Sequence, residues 1–384
     1  MKPANNKIKI NPKLIEWAIV TSGLDTAQLA KKLKIHEETL FKWIKGEDFP
    51  TLKELEALAS YTKRPLAAFF LPSPPKEKSL PKDYRVIYKK PGKFSPTTLW
   101  TIREARRLQE IGKILLENLR LTTKPSIEFV TLNTNAEEIA LEYRGLFQIN
   151  EELQKKWKNA YEAFNYFKKE IEKLNIFVFQ FSMPIEDARG FTLTDEEPFV
   201  IVINSKESIE ARLFTLLHEF AHTLLNDLQI DLPENSLLSS NVTNEVNEVN
   251  RIEKWCNEFA SELLFPRSIA KRVFKENIKT ILKDDTLKRL SKTYKISKTM
   301  LLYKALKLGY IGRKEYEEKT KNIKSYEESG FQTAHKKCIN EKGEKFIQLV
   351  DSNLENGNIS FTDALDYLRV KAEHYEKIIQ SIKG

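Results

Sequence analysis

Several residue types and patterns are scarce in this sequence, and each scarcity argues against a class of protein. The 384 residues contain two cysteines, Cys256 and Cys338, which are too far apart for a disulfide framework and fit a reducing compartment. No apolar run reaches the roughly 18 residues that a membrane-spanning helix needs. The first residues lead into no apolar signal segment. We therefore expect a cytoplasmic protein without a membrane partner.

Glycine is also scarce, with 12 residues, while Lys, Asn, Ile and Glu are abundant. This composition favours a largely helical chain. The hydrophobic content of 41% supports a globular protein, and the length exceeds one average domain of about 100–200 residues. We expect two or three domains, each with its own core.

Only five histidines are present, yet two of them form the pattern His218-Glu219-x-x-His222. Side chains four residues apart share one face of a helix, so both imidazoles can bind one Zn²⁺, while Glu219 is placed to act on water at the metal. Apolar residues recur around the pattern at three- and four-residue spacing, which indicates a buried helix. The alternative is a core helix with two hydrogen-bonded histidines, and the scarcity of histidine disfavours it.

A third metal ligand is expected after His222, because a catalytic zinc usually has three protein ligands and one open position. The candidates lie in a helical pattern at residues 252–266. They are the carboxylates of Glu253, Glu258 and Glu262 and the thiol of Cys256. Solvent-facing charge is the simpler interpretation of Glu258 and Glu262, and packing is the simpler interpretation of Cys256.

The N-terminal part of the sequence has the rhythm of short amphipathic helices joined by tight turns. Asp25 or Thr26 can cap one helix, residues 34–35 turn the chain, and residues 36–45 form a second helix that ends at Gly46. This is the spacing of a helix-turn-helix. A helical bundle that binds no ligand would show the same pattern.

Two stretches make a resemblance to a known family specific. Residues 253–266 resemble a Glu-x-x-Ala-Asn-x-Phe-Ala motif that ends in Leu-Leu-x-Pro. The N-terminal stretch and the His-Glu-x-x-His pattern together resemble an Xre-type helix-turn-helix that precedes an ImmA/IrrE-family metallopeptidase domain. The N-terminal residues that carry the likeness are Gln28-Leu29-Ala30, Trp43, Gly46, Pro50-Thr51, Leu55, Leu58-Ala59 and the run 65–72.

The resemblance implies a zinc peptidase site. It makes Glu253 the third ligand beside His218 and His222, and it gives Glu219 the role of general base in peptide-bond hydrolysis. Asn257 would orient a ligating histidine by accepting its other ring N–H. No oxyanion-stabilising residue can be named from the sequence, and the candidates are the polar residues near Arg189 and Thr192.

The resemblance also implies two kinds of macromolecular partner. Residues 36–45 become the recognition helix for double-stranded operator DNA, and the protein can act as a homodimer on two half-sites. The expected contacts to bases and phosphates are Gln28, His36, Glu37, Thr39 and Lys42. Glu37 and Glu38 depart from the pattern, since carboxylates repel phosphates. The second partner is a protein substrate, for which the sheet edge at residues 189–204 offers strand pairing.

The fold class predicted is mainly α with α+β. It consists of an N-terminal all-helical helix-turn-helix domain, an α+β gluzincin-like metallopeptidase domain with a small sheet, and a helical C-terminal region. The predicted boundaries are 8–71 for the DNA-binding domain, 72–97 for a Pro/Lys-rich linker, 98–266 for the peptidase domain, 267–340 for a helix-turn-helix-like region and 341–384 for the C-terminal helices.

Individual elements are predicted from periodicity and breakers. Strands are expected at 127–132, 176–181 and 199–204. Helices are expected at 98–119, 136–147 and 153–173, and at 345–354, 360–368 and 372–382. Residues 287–302 repeat the helix-turn-helix rhythm, although a helical cover over the peptidase core is the simpler interpretation. Residues 340–345 are expected to form a polar joint.

The charge distribution leaves the role of the linker region open. Residues 76–124 carry thirteen Lys/Arg against five Asp/Glu, whereas residues 13–63 carry eight of each. Such a basic run can contact phosphates, but it is more often a solvated surface.

Three functions fit the whole sequence. The first is a DNA-binding regulator with a zinc endopeptidase domain that cleaves a repressor or another regulatory protein, in stress, mobile-element, phage or toxin-antitoxin control. The second is a DNA-binding repressor or antitoxin whose metal site is a sensor or structural element without proteolysis. The third makes the N-terminal bundle a protein-docking module, which its balanced charge favours.

Overall fold

The structure of the chain is a computed structural model. It describes residues 6–76, 94–225, 250–321 and 333–383, and the backbone alone of residues 242–249. Most of the predicted linker therefore lies outside the described residues. The basic run at residues 89–93 does so too.

The chain divides into two compact units. The first contains the chain up to Glu104 together with Ser182–Ala188, and the second contains Ala105–Phe181 and the chain from Arg189 onward. Among the described residues, no helix is long and apolar enough to cross a membrane.

The first unit contains a group of short helices around one apolar core. Leu29, Leu40, Leu55 and Phe69 are completely buried in that core. The helices of residues 6–76 are α1 (Pro12–Val20), α2 (Thr26–Leu33), α3 (Glu37–Lys45), α4 (Leu52–Thr62) and a 3-10 helix at Leu66–Phe70.

Local chemistry explains where these helices begin and end. The side chain of Asp25 caps α2 by accepting a hydrogen bond from the amide of Gln28, and α2 ends at Lys34 in the left-handed region. Gly46 ends α3 with φ +73°, a conformation that glycine adopts at little cost. Thr51 and Glu54 form a capping box at α4.

The second unit is mainly helical and contains one small sheet. The helix α5 (Pro96–Asn118) runs from the first unit into the second. The other helices are α6 (Ala136–Leu146), α7 (Glu151–Lys156), α8 (Ala160–Lys173), α9 (Ile209–Leu224), α10 (Val242–Leu264), α11 (Arg267–Glu276), α12 (Asp284–Tyr294), α13 (Lys298–Lys307), α14 (Arg313–Lys321), α15 (Ala334–Lys342), α16 (Glu344–Glu355), α17 (Phe361–Leu368) and α18 (Ala372–Lys383).

The sheet has three strands in the order β1-β3-β2. These are β1 (Phe177–Phe181), β2 (Gly190–Leu193) and β3 (Val200–Asn204). The strand β3 pairs in parallel with β1 and antiparallel with β2. All residues of the three strands are buried, which accounts for the continuous apolar run in β3. The prediction of a mainly helical chain with a small sheet is confirmed.

Helix α9 lies against β2 and β3 and also packs on α8 and α10. Leu213, Leu216 and Phe220 of α9 are completely buried in the main core of the second unit. Burial of this apolar side fixes the rotation of the helix about its axis, because the apolar residues share one face. That rotation decides where the His-Glu-x-x-His side chains point.

The outer side of β1 is covered by α15. The carbonyl of Asn340 accepts a hydrogen bond from Gln180 Nε2 at 3.0 Å, and the ammonium of Lys342 lies 5.2 Å from the ring centroid of Phe181. Successive residues of a strand point to opposite faces of its sheet. Since α15 contacts both Gln180 and Phe181, it lies along the strand edge.

Three element predictions were wrong. Residues 127–132 form no strand, because the amide of Val130 donates instead to the carbonyl of Leu224 at the end of α9. The helix predicted at 153–173 is two helices, and the break is stabilised by Asn159, which caps α8. The expected polar joint at 340–345 is mostly helical, with only Gly343 between α15 and α16.

The second helix-turn-helix rhythm corresponds to α12 and α13. The turn between them contains Lys295 in the left-handed region, and Ser297 caps α13. Helix α13 carries the buried residues Leu301, Leu302 and Lys304, so it faces the protein interior. This burial favours the interpretation as a helical cover.

Candidate metal centre

Helix α9 carries the His-Glu-x-x-His pattern in its last two turns. The helix begins after Ser208, whose hydroxyl caps it by accepting a hydrogen bond from the amide of Ala211. His218 and His222 are half-buried, with side-chain exposures of 14% and 11%, and they face Glu253. The helix α10 supplies Glu253 and packs along α9.

The three predicted ligands meet at one point. The Nε2 atoms of His218 and His222 lie 3.1 Å apart. Oε2 of Glu253 lies 3.3 Å from Nε2 of His218, and Oε1 lies 3.4 Å from Nε2 of His222. One ligand atom from each residue lies within 4.8 Å of the other two.

These donors fit a zinc ion. Four ligands about 2.0–2.1 Å from zinc in a tetrahedron are separated from one another by about 3.3 Å, and the separations of 3.1, 3.3 and 3.4 Å match that value. Two imidazoles and one carboxylate are also a donor set found in catalytic zinc sites. Three protein donors leave one position of a tetrahedron for water or substrate.

The charges in this cluster are strongly coupled. Burial raises the pKa of Glu253, but hydrogen bonds from His218 and His222 more than offset that effect, so the pKa lies far below its usual range. Burial lowers the pKa of His218. For His222, burial lowers the pKa, yet Cys256, Glu253 and Glu219 together raise it well above its usual value. The neighbourhood of His222 thus stabilises positive charge.

Asn257 and Cys256 lie beside the two histidines. Asn257 contacts His218 and favours its protonated form, which partly offsets the lowering of the pKa by burial. Among the described residues, Nδ1 of His218 nevertheless has no hydrogen-bond partner of normal geometry. Cys256 is completely buried and interacts with His222. It is absent from the cluster of converging donors, which consists of the two histidines and Glu253.

Glu219 lies on a different face of α9 from the histidines, and only 5% of it is exposed. A Cβ atom added to Gly190 would lie 3.0 Å from Cγ of Glu219. The side chain of Glu219 therefore passes directly under β2. Glu219 lies in α9, the helix that carries both histidines. Its role as general base stays a prediction.

The other two acidic candidates have structural roles. Glu258 pairs with Lys307 at 2.6 Å. Glu262 is buried, accepts a hydrogen bond from the amide of Arg267 at 2.7 Å and pairs with Lys304. The expectation that Glu262 faces solvent was therefore wrong. The sequence could not show the pairing, because Lys304 lies 42 residues further along the chain and only the fold brings the two side chains together.

The candidate oxyanion residues differ in their surroundings. The side chain of Arg189 is 71% exposed, and its Nε lies 3.4 Å from Oε1 of Glu207. Thr192 is buried within β2, with 2% exposure. Neither position singles out one of them for contact with a reacting carbonyl.

Glu207, which lies between β3 and α9, was not among the residues predicted for the site. This carboxylate is buried, and Thr215 Oγ1 donates a hydrogen bond to it at 3.1 Å. Burial raises the pKa of Glu207, and the charge of Arg189 partly offsets this effect. No periodicity or motif distinguishes Glu207 from a solvated charge before a helix, so the sequence offered no signal.

The predicted DNA contacts lie on α2 and α3 or in the turn between them. Gln28, His36, Glu37 and Lys42 are exposed, and Thr39 is half-buried. His36 occupies the N-cap position of α3 rather than its first turn. Glu37 accepts a hydrogen bond from the hydroxyl of Thr26 at 2.5 Å.

A comparison with protein families gives independent information on this site. The model of the Peptidase_M78 family, described as the IrrE N-terminal-like domain, matches residues 171–306. The match extends from α8 to α13 and so contains the sheet, α9 and α10. It indicates a metallopeptidase-like function for this part of the chain. A comparison with curated proteins found no match for the chain.

Proposed function

We propose that the chain is a DNA-binding regulator whose second unit is a zinc-dependent endopeptidase acting on a repressor or another regulatory protein. The observation that carries the enzymatic part is the convergence of His218, His222 and Glu253 at the spacing of zinc ligands. The match of this region to a peptidase family supports the reaction class.

In this proposal the residues divide the chemistry among them. A zinc ion, when bound, lowers the pKa of coordinated water and polarises a peptide carbonyl. His218, His222 and Glu253 hold the ion and leave one side open. Glu219 takes a proton from the attacking water and passes it to the leaving amine. Asn257 would orient His218 by accepting its other ring N–H.

Substrate binding is proposed at the sheet. The strand β2 is an end strand of the sheet and lies directly over Glu219. An end strand can hold an extended peptide through main-chain hydrogen bonds. The four residues of β2 are buried. Side-chain selection would therefore fall to neighbouring positions, of which Arg189 is exposed.

DNA binding is proposed for residues 8–71. Exposed Gln28, His36 and Lys42 on or beside α2 and α3 support it. Thr39 and Glu37 complete the proposed contact surface, although Glu37 is already bonded to Thr26. A homodimer on two half-sites and a cytoplasmic location belong to the same proposal.

The decisive experiment compares Glu219→Gln with His218→Ala. The first substrate to test is the regulator encoded beside this gene. Mass spectrometry of the products then shows whether and where it is cleaved. Glu219→Gln keeps the size of the side chain but cannot accept a proton, so zinc should stay while cleavage falls by about 10²- to 10⁴-fold. If cells with Glu219→Gln regulate the target genes normally while His218→Ala cells do not, the metal site is a sensor without proteolysis.

A further inference from the structure

Helix α9 presents two different faces to two different neighbours. His218 and His222, four residues apart, face Glu253 of α10. Thr215 and Glu219, also four residues apart, face Gly190 of β2. Residues at this spacing share one side of a helix. The side chains that face Glu253 and the side chains that face Gly190 therefore lie on different sides of α9.

The contact between β2 and α9 leaves no room for a side chain at position 190. An added Cβ would lie 2.8 Å from Cγ2 of Thr215, 2.9 Å from the carbonyl oxygen of Val202 and 3.0 Å from Cγ of Glu219. Carbon atoms in optimal contact are about 3.5–4.0 Å apart. Since φ of Gly190 is not in the left-handed region, close approach rather than backbone conformation requires glycine here.

Glu207 ties the two sides of this contact together. Its carboxylate accepts a hydrogen bond from Thr215 at 3.1 Å and pairs with Arg189, the residue before Gly190, at 3.4 Å. Nε of Arg212 in α9 donates to the backbone carbonyl of Glu207 at 3.0 Å. Glu207 is only 5% exposed. The strand and the helix are thus joined by a buried carboxylate one turn of α9 before Glu219.

We propose that Gly190 is a positioning residue for Glu219, and that the link through Glu207 holds the strand at the distance that Gly190 permits. The strand restricts the Glu219 side chain, and so sets where its carboxylate stands relative to the open position of the metal. This inference rests on the proposed function. A displacement of about 1 Å at such a site can cost about 10²-fold in rate.

Acetohydroxamate is a suitable probe, because it needs no knowledge of the substrate. It binds a divalent ion through two oxygens and donates a hydrogen bond to a carboxylate beside that ion. Cobalt(II) in place of zinc makes binding visible as a change in the absorption spectrum. The experiment uses the full chain loaded with cobalt, and it measures metal affinity and acetohydroxamate affinity separately.

The main variant is Gly190→Ala, with Gly145→Ala as its control. Gly145 lies in α6, and a Cβ added there meets no atom within 4 Å. We expect Gly190→Ala to keep its metal affinity and to lose about 10- to 100-fold in acetohydroxamate affinity. Gly145→Ala should change neither quantity. Thr215→Ser removes Cγ2 and keeps the hydroxyl, so the double variant with Gly190→Ala should recover part of the loss.

A double-mutant cycle with Glu219→Gln separates positioning from general disruption. If Gly190 acts through Glu219, then Gly190→Ala should have little effect when Glu219 is already glutamine. If Gly190→Ala binds cobalt but leaves acetohydroxamate affinity unchanged, or if its effect is equally large in both backgrounds, the inference is wrong.

Two further outcomes are also informative. If Gly190→Ala fails to fold, Thr215→Val replaces it as the test, because that variant keeps the branched shape of the side chain and removes the hydrogen bond to Glu207. It should weaken acetohydroxamate and spare the metal, and an unchanged acetohydroxamate affinity would overturn the inference. If the parent chain binds cobalt but not acetohydroxamate, the proposed function fails, and the inference fails with it.

Discussion

Lys304 of α13 and Glu262 of α10 form an ion pair in the interior of the second unit, with side-chain exposures of 2% and 5%. Lys304 also donates to the hydroxyl of Ser261 at 3.2 Å, and Glu262 accepts from the amide of Arg267. These contacts thus join α10, α11 and α13.

Replacing Lys304 with methionine should destabilise the fold strongly. The change leaves the Glu262 carboxyl group buried without its ion-pair partner, and the loss of one member of a buried pair typically costs about 3–5 kcal/mol. Urea unfolding followed by circular dichroism measures the effect. The control is Glu317→Ala, which breaks an exposed pair with Arg313 and should leave the midpoint nearly unchanged. Equal midpoints for both variants would contradict a structural role for Lys304.

The metal ligands give a second prediction. His218→Ala and His222→Ala should each abolish stoichiometric zinc, and Glu253→Ala should weaken zinc binding, because each change removes one of three converging donors. Zinc per chain can be measured by mass spectrometry after dialysis. His335→Ala, in α15, serves as the matched control and should bind as much zinc as the parent. Full zinc in both of the α9 variants would refute the ligand assignment.

The extent to which the sequence predicted this site follows from the range of the interactions. His218, Glu219 and His222 lie within one helix, so their arrangement follows from helix geometry alone. Glu253 came from a resemblance and was brought to the histidines by packing of α10 on α9. Glu207 and Gly190 remained hidden, because their roles depend on strand-to-helix contacts that no local pattern encodes.

The elements that were wrongly predicted also depend on contacts between residues far apart in the sequence. The strand expected at 127–132 has a suitable composition, but a strand forms only where a partner strand exists. Val130 bonds to the end of α9 instead. The sequence pattern around Glu262 predicts an exposed residue, because only the fold brings Lys304 beside it. The helix boundary marked by the Asp25 cap was predictable because the cap and the helix are adjacent in sequence.

A third prediction concerns DNA. Lys42→Glu should weaken binding of an operator fragment, because it removes a positive charge from the exposed side of α3 and adds repulsion from phosphates. Lys53→Glu makes the same charge change on an exposed position of α4 and should have a much smaller effect. Fluorescence anisotropy at several salt concentrations gives both affinities. Equal affinities for parent and Lys42→Glu would favour the protein-docking interpretation of the N-terminal helices.

Glu172 leads to a prediction about pH. Glu172 is buried where α8 meets Gly343. A Cβ atom added to Gly343 would lie 2.4 Å from Oε1 of Glu172. Burial raises the pKa of Glu172 to about 7, and Lys168 only partly offsets the effect while Glu344 adds to it. The folded chain therefore holds this proton more tightly than the unfolded chain.

Protonated Glu172 contributes to the free energy of unfolding. This contribution should be fully present below about pH 4.5. It should be lost as the pH rises through about 7, which lowers the free energy of unfolding by about 3 kcal/mol. Glu172→Gln has no proton to lose. Relative to the parent, it should gain stability between pH 5 and pH 8 in parallel urea titrations. A difference between the two proteins that stays constant with pH would contradict the prediction.

The cover that α15 forms along β1 bears on where a fragment that contains the family-matched region can end. The family match stops at residue 306, but the carbonyl of Asn340 and the side chain of Lys342 lie on β1, and Phe346 packs edge-on against Phe177 and Phe179. A fragment ending at 306 would expose a strand edge and an aromatic surface, both of which promote aggregation. The practical minimum for expressing the family-matched region therefore includes α15 and α16.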